Sequence, residues 1–153
     1  VPPSPTARPQ GTSRENSVPV GMAAVIQTKE ARFQIQVLGV NRDAAATLKA
    51  YNPFNSPPAQ GNKQIIIRVK FTAIQQSTDV ITVGSQRYRL VGSSNRVFSP
   101  SFAVLRDELR GELFAGGSIE GEVPFEIPAA EENLSLIYDA TDTTGVRYYF
   151  ALP

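Results

Sequence analysis

Ile65-Ile66-Ile67-Arg68-Val69-Lys70-Phe71 is the stretch on which the fold turns. Ile65, Ile67, Val69 and Phe71 leave one side of an extended chain, Arg68 and Lys70 leave the other, and Ile66 breaks the polar row. A period of two marks a half-buried antiparallel strand, because successive side chains point to opposite faces of the sheet. The same period recurs in Phe33/Ile35/Val37 with Gln34 and Gln36 between them, and in Tyr88/Leu90. It returns in Val123/Phe125/Ile127, Leu134/Leu136/Tyr138 and Val146/Tyr148/Phe150/Leu152. Turn formers separate the runs: Gly84-Ser85, Gly92-Ser93-Ser94-Asn95, Gly116-Gly117 and Asp142-Thr143-Thr144-Gly145. About six to eight short strands joined by polar turns predict an all-β, antiparallel two-sheet sandwich.

One segment departs from the pattern. Asp43-Ala44-Ala45-Ala46-Thr47-Leu48-Lys49-Ala50-Tyr51 reads as one short helix, with Asp43 placed to cap its free amides and Asn52-Pro53 placed to stop it. It runs into the loop 52–61, where Phe54 is expected to pin the chain to the sandwich edge. Gly61 permits the turn into the central strand, and Gly121 suits a bulge or a close backbone approach. Pro124 donates no ladder bond, so its strand is expected at an edge or with a bulge.

The chain divides into a Pro/Ser/Thr-rich arm or linker, residues 1–21, and a sandwich domain, residues 22–153. The arm holds Pro2, Pro3, Pro5, Pro9 and Pro19, and its only apolar side chains besides proline are Val1, Ala7, Val18 and Val20. Such a composition buries little surface and favours extended conformations. A proline-rich strand suits a sheet edge, and that edge belongs either to its own domain or to a neighbour. The sequence begins Val1-Pro2-Pro3 with no initiator Met, so a removed signal peptide or an anchor upstream of residue 1 is expected. No run of about eighteen apolar residues occurs, so the chain is not read as membrane-spanning.

Composition narrows the chemistry. The sequence has no Cys and no His. That excludes a disulfide framework, a thiolate nucleophile, a Ser-His-Asp triad and histidine-ligated metals. The net charge of +1 gives no electrostatic case for nucleic acid. The charges are nevertheless uneven, with +7 over residues 25–99 and −8 over residues 100–142. Interleaved strands either neutralise this within the fold, which is the preferred reading, or leave faces of opposite sign that favour contact between copies.

Carboxylates are the remaining acid–base groups. Glu120, Glu122 and Glu126 share a strand face at spacings of roughly 7 Å between neighbours two apart. Such a row suits Ca²⁺ or glycoside chemistry, but a solvated face is the preferred reading. Glu131-Glu132 and Asp139…Asp142 lack the dense oxygen spacing of a calcium loop. Arg87 and Arg89 flank Tyr88, an arrangement able to stack on sugars or bases, although Tyr88 is first a core residue. No catalytic, cofactor or metal residue is assigned, and the chain is read as non-enzymatic with no cofactor.

The helix followed by NPFNSPPAQG and KQIIIRVKF, the run GGSIEGEVPFEIP, then LSLIY and YYFAL, resemble a family of telokin-like secreted bacterial Ig-like domains of the immunoprotective extracellular protein type. The resemblance spans roughly residues 21–153. It implies an Ig-like sandwich and export, often behind a lipoprotein anchor, and it carries no catalytic residues. The resulting expectation is an exported, extracellular or cell-surface module that binds protein, by self-assembly or within a larger envelope complex. The partner-binding residues are Pro2, Pro3, Pro5, Pro9, Val18, Pro19 and Val20 of the arm, with the out-of-phase apolar residues Ile66, Ile137 and Tyr149 completing the contact. The hydroxyls of the arm are candidates for O-linked sugars. The alternative is a tethered lipoprotein domain that recognises a small molecule or glycan through Tyr and Arg side chains.

Overall fold

The computed structural model describes residues 10–76 and 80–153. In chain order the elements are β1 (Ala23–Gln27), β2 (Ala31–Asn41), α1 (Ala45–Tyr51), β3 (Asn62–Gln76), β4 (Ile81–Val83), a 3-10 turn (Ser85–Arg87), β5 (Tyr88–Val91), β6 (Val97–Phe98), β7 (Gly111–Leu113), β8 (Ser118–Pro128), β9 (Ser135–Ala140), α2 (Thr141–Thr144) and β10 (Val146–Ala151). One sheet has the order β1-β2-β3-β8, the second β10-β9-β5-β6, and β4 pairs with β7 as a small third sheet. Every strand pairing is antiparallel. This is the expected Ig-like antiparallel sandwich.

The period-two residues fill the space between the sheets. Phe33, Ile35, Val37, Ile65, Ile67, Val69, Phe71, Val123, Phe125 and Ile127 from one sheet meet Tyr88, Leu90, Leu136, Tyr138 and Phe150 from the other. An aromatic chain ties the layers: Phe33 stacks on Phe71 at 4.8 Å, and Tyr138 packs edge-on against both Phe33 (5.6 Å) and Tyr88 (5.3 Å). Such pairs add about 0.5–1.5 kcal/mol each beyond the area they bury. Ile66, pointing the other way, is buried beneath α1 with Ala44 and Leu48. A third layer therefore covers the outer face of β3 locally.

The described residues of the arm lie along β10. Val18 forms a parallel bridge with Phe150, its N–H donates to the Tyr149 carbonyl at 2.8 Å, and Ala151 N–H donates to the Val18 carbonyl at 2.9 Å. Tyr149 N–H donates to Gly11 at 2.6 Å, and Val18 is 3% exposed within the core. The opposite sheet is closed by the segment 101–109, which runs along β8. Ser101 N–H donates to Pro124, Glu122 N–H to Asp107, and Leu109 N–H to Glu122. Pro124 thus sits on an edge strand, as its missing donor requires. Gly121 lets the segment approach, since a Cβ there would fall on Leu109 Cα and N.

Three local expectations are corrected. Asp43 does not cap α1: Ala44 occupies the N-cap without a side-chain bond, because Asn41 Oδ1 accepts the Asp43 N–H and sets the chain one residue further on. Phe54 does not pin its loop, being 92% exposed. The turn at 142–145 folds into the one-turn α2, a helix additional to the single one expected, closed by Gly145 at φ +72°.

Gly121→Ala is expected to lower the unfolding free energy by about 1–3 kcal/mol, the usual cost of an overpacked site. Gly39→Ala, where a Cβ would meet nothing within 4 Å, stays within about 0.5 kcal/mol. Urea unfolding of the two variants tests the close approach at Leu109.

Candidate functional site

The site grows from the loop that leaves α1. Asn52 ends the helix in extended geometry, and its side-chain oxygen accepts the Phe54 N–H at 2.8 Å. The next residue, Asn55, is buried and works as a peptide surrogate. Its Nδ2 donates to the Leu48 carbonyl at 2.8 Å and to the Val104 carbonyl at 2.9 Å, while its Oδ1 accepts the Val104 N–H at 2.8 Å. One side chain thereby satisfies both backbone groups of Val104 and joins the loop 52–61 to the segment 101–109. Each loop presents a phenylalanine outward, Phe54 at 92% and Phe102 at 97% exposure, with Val104 also exposed.

A groove of about 700 Å³ opens beside Phe102, lined by Val104, Pro124, Arg89, Glu108 and Arg110. It shares Ser85, Gln86, Glu108 and Arg110 with a neighbouring hollow of about 600 Å³. Beneath the segment lies a polar network. Tyr51 OH donates to Glu122 Oε1 at 2.9 Å, and Arg68 reaches Asp107 (3.4 Å), Glu120 (3.5 Å) and Glu122 (3.8 Å). Burial, then the bond to Glu122, pushes the Tyr51 phenol up, while the Arg106 guanidinium lies 4.9 Å from the centre of its ring.

Except for the exposed Glu132, the carboxylates singled out in the sequence are taken up by the protein itself. Glu122 is buried in the network just described, Glu120 meets Arg68, and Glu126 accepts from Asn62 and Gln64. Glu131 accepts from Ser94 and Ser93, which hold it below its ordinary value. The bond from Thr141, with Arg147 alongside, lowers Asp139, and the two-pronged Arg87 bond lowers Asp142. Arg68 and Arg87 thus carry the basic stretch of the sequence onto the acidic one. Among the described residues no three potential metal-ligating side chains converge. Tyr88 is a core residue, its phenol raised well above the usual value by burial, and burial pushes Tyr138 up to about 12.

The partner residues predicted from the sequence separate into distinct environments. Pro2, Pro3, Pro5 and Pro9 lie outside the described residues. Val18 and Tyr149 come together through the backbone of the arm and β10, and Pro19 and Val20 are exposed beside them. Ile66 and Ile137, 5% and 1% exposed, belong to the interior, so the expected apolar surface patch is corrected. Ile66 fails as a surface residue because α1 covers it. Phe102 went unmarked, and the signal available for it was an aromatic held between Pro100-Ser101 and Ala103 with no strand periodicity.

Fold and site together define a small Ig-like β-sandwich module with an aromatic loop pair at one sheet edge. The domain of unknown function DUF4352 matches residues 27–147, and the chain belongs to that family. No curated protein matches the sequence. Among solved structures, the secreted protein MPT63 of Mycobacterium tuberculosis is similar with a TM-score of 0.62 at 8% identity, over 88% of this chain and 97% of its own. The YjhA protein of Bacillus subtilis gives 0.55 at 17% identity, over 88% and 98%. A candidate lipoprotein of Bacillus subtilis, YcdA, gives 0.56 at 13% identity, over 82% of this chain and 37% of its own. At these identities the likeness is one of fold.

Asn55→Ala is expected to cost about 1–3 kcal/mol, since it strips partners from a buried peptide group. It should also speed amide exchange at Val104, and unchanged exchange there would refute the clamp. Acid should weaken the fold as well. Asp139, Asp142 and Glu131 sit below their ordinary values of 3.8, 3.8 and 4.5, so the unfolded chain takes up protons first as pH falls. Their contribution is intact above those values and is lost as pH drops through the lower folded ones. Arg87→Gln releases Asp142 and should flatten the acid limb of a urea-stability profile.

Proposed function

We propose that this chain is an exported, non-enzymatic protein-interaction module of the telokin-like type, docking a protein partner at the cell surface or in an envelope assembly through Phe54 and Phe102. The carrying observation is that two phenylalanines, 92% and 97% exposed, are held on loops that Asn55 fastens to each other. An aromatic on a floppy loop can fold back onto the surface, but the clamp limits that escape here. Exposed aromatics on a rigid scaffold bind with little ordering cost and are the side chains in which binding energy concentrates. Export is supported by the secreted protein and the candidate lipoprotein among the structural relatives. No helix among the described residues is long and apolar enough to cross a membrane.

In this reading the arm has a changed part. The sequence leaves the arm to dock on its own domain or on a neighbour, and to reach a neighbour Val18 would have to leave the core. Its described residues brace β10, and the partner contact passes to the aromatic loops. A second reading, capture of a small molecule or glycan, draws support from the groove beside Phe102, where Arg89 and Arg110 stand near apolar side chains.

The test is a photo-reactive phenylalanine analogue placed at position 54, at 102, or at the exposed control position Glu132, in protein displayed on its native cells. Cross-linked protein adducts are expected at 54 and 102 and not at 132. Adducts at none of these positions, or the same adducts at all three, would overturn the docking face. Binding of free sugars that Arg110→Ala removes and Phe54→Ser spares would put the second reading in its place.

A further inference from the structure

The ends of the two main sheets are treated unequally. β10 is covered by the arm at Val18, and β8 by the segment 101–109. β6 is only two residues long. β1 is different: it pairs with β2 on one side and, among the described residues, with no strand on the other. Its sequence, Ala23-Ala24-Val25-Ile26-Gln27, contains no charge, no proline and no glycine. Around it Val20, Met22 and Val25 are 51%, 54% and 51% exposed. Proteins usually blunt an edge with lysine, proline, a bulge or a cover, and β1 has none of the first three within its span and no cover among the described residues.

We propose that β1 is a self-association edge: two copies of this chain pair β1 with β1, antiparallel about a two-fold axis, and join their four-stranded sheets into one. A second copy fits the edge better than a foreign strand for three reasons. An uncharged strand paired with itself sets no like charges opposite one another. The net charge of +1 opposes the approach of two copies very little. The register that places Val25 opposite Val25 also sets Ala24 opposite Ile26 on the inward face, so both cores continue across the junction. A five-residue edge is small beside the about 1,200–2,000 Å² buried by stable dimers, so the pair is weak and forms with concentration. This edge is separate from the Phe54–Phe102 face.

Light scattering from about 10 μM to about 1 mM reads the association directly. The mass is expected to rise from 16.6 kDa towards twice that value. Val25→Lys and Val25→Glu, at a half-exposed position, should each stay at the mass of one chain, and mixing them should restore the pair, because the register brings opposite charges together. Amide exchange of residues 23–27 in the unaltered protein should slow with concentration, a readout that needs no variant. The proposal is overturned by a constant mass and concentration-independent exchange, by undiminished association of Val25→Lys, or by failure of the folded mixture to pair. Association that Phe102→Ser abolishes and Val25→Lys spares overturns it too, and moves the contact to the aromatic loops.

Discussion

A sandwich leaves backbone groups unpaired along its outer strands, and much of this molecule follows from how the β8 edge is closed. Three backbone bonds between the segment 101–109 and β8 do this, and the strand they cover carries two unusual residues that accommodate them. Pro124 has no N–H to offer, but its carbonyl is free to accept from Ser101. Gly121 has no Cβ, so the backbone at Leu109 can lie against it and Leu109 can bury completely. With a side chain at position 121 the segment would stand off, Glu122 would lose its backbone partners, and the carboxylate cluster around Arg68 would open to water.

The aromatic face is a consequence of that closure. A segment anchored at both ends on β8 has the side chains between them left over, and those of residues 102–105 go either under α1 or out to solvent. Ala103 and Leu105 pack against the cluster of Leu48 and Ile66, while the residues alternating with them, Phe102 and Val104, are exposed. Asn55 then supplies the peptide partner that Val104 would otherwise find in another strand. The helix, the loop and the segment become one unit on the outer face of β3. Tyr51 ties the last turn of that helix to Glu122 on β8, so the exposed phenylalanines stand on a base that is bonded at both ends.

How much of this a sequence can show depends on which forces have a period. Burial between two sheets has a period of two, which is why the strands and the inward set from Phe33 to Phe150 were legible. Ile66 and Ile137 broke that period and read as surface, although both are buried. The rule assumes that only one face of a strand is covered, and over Ile66 the helix covers the second face. The special backbone positions were legible for a different reason: Gly61 and Gly121 lack a Cβ that a positive φ and a close backbone approach disfavour, and Pro124 lacks a donor that only an edge strand can spare. Phe54 was misread and Phe102 missed because exposure of an aromatic leaves no periodic trace. It depends on where Asn55 sends its amide, a tertiary fact between residues 49 positions apart.

The span matched by the family separates two parts of the molecule. Residues 27–147 contain the clamp at Asn55, both phenylalanines, the covering segment and Gly121. They leave out the arm, nearly all of β1 and the greater part of β10. The β10 edge, however, is closed among the described residues by Gly11 and Val18, both of which lie beyond the matched span. A chain cut to residues 27–147 would keep the base of the aromatic face but would lack Val18 and Phe150, both nearly fully buried in the core. Loss of the arm therefore bears on Phe54 and Phe102 as well, because the face rests on β3 and β8, and these rest on a core that Val18 helps to close.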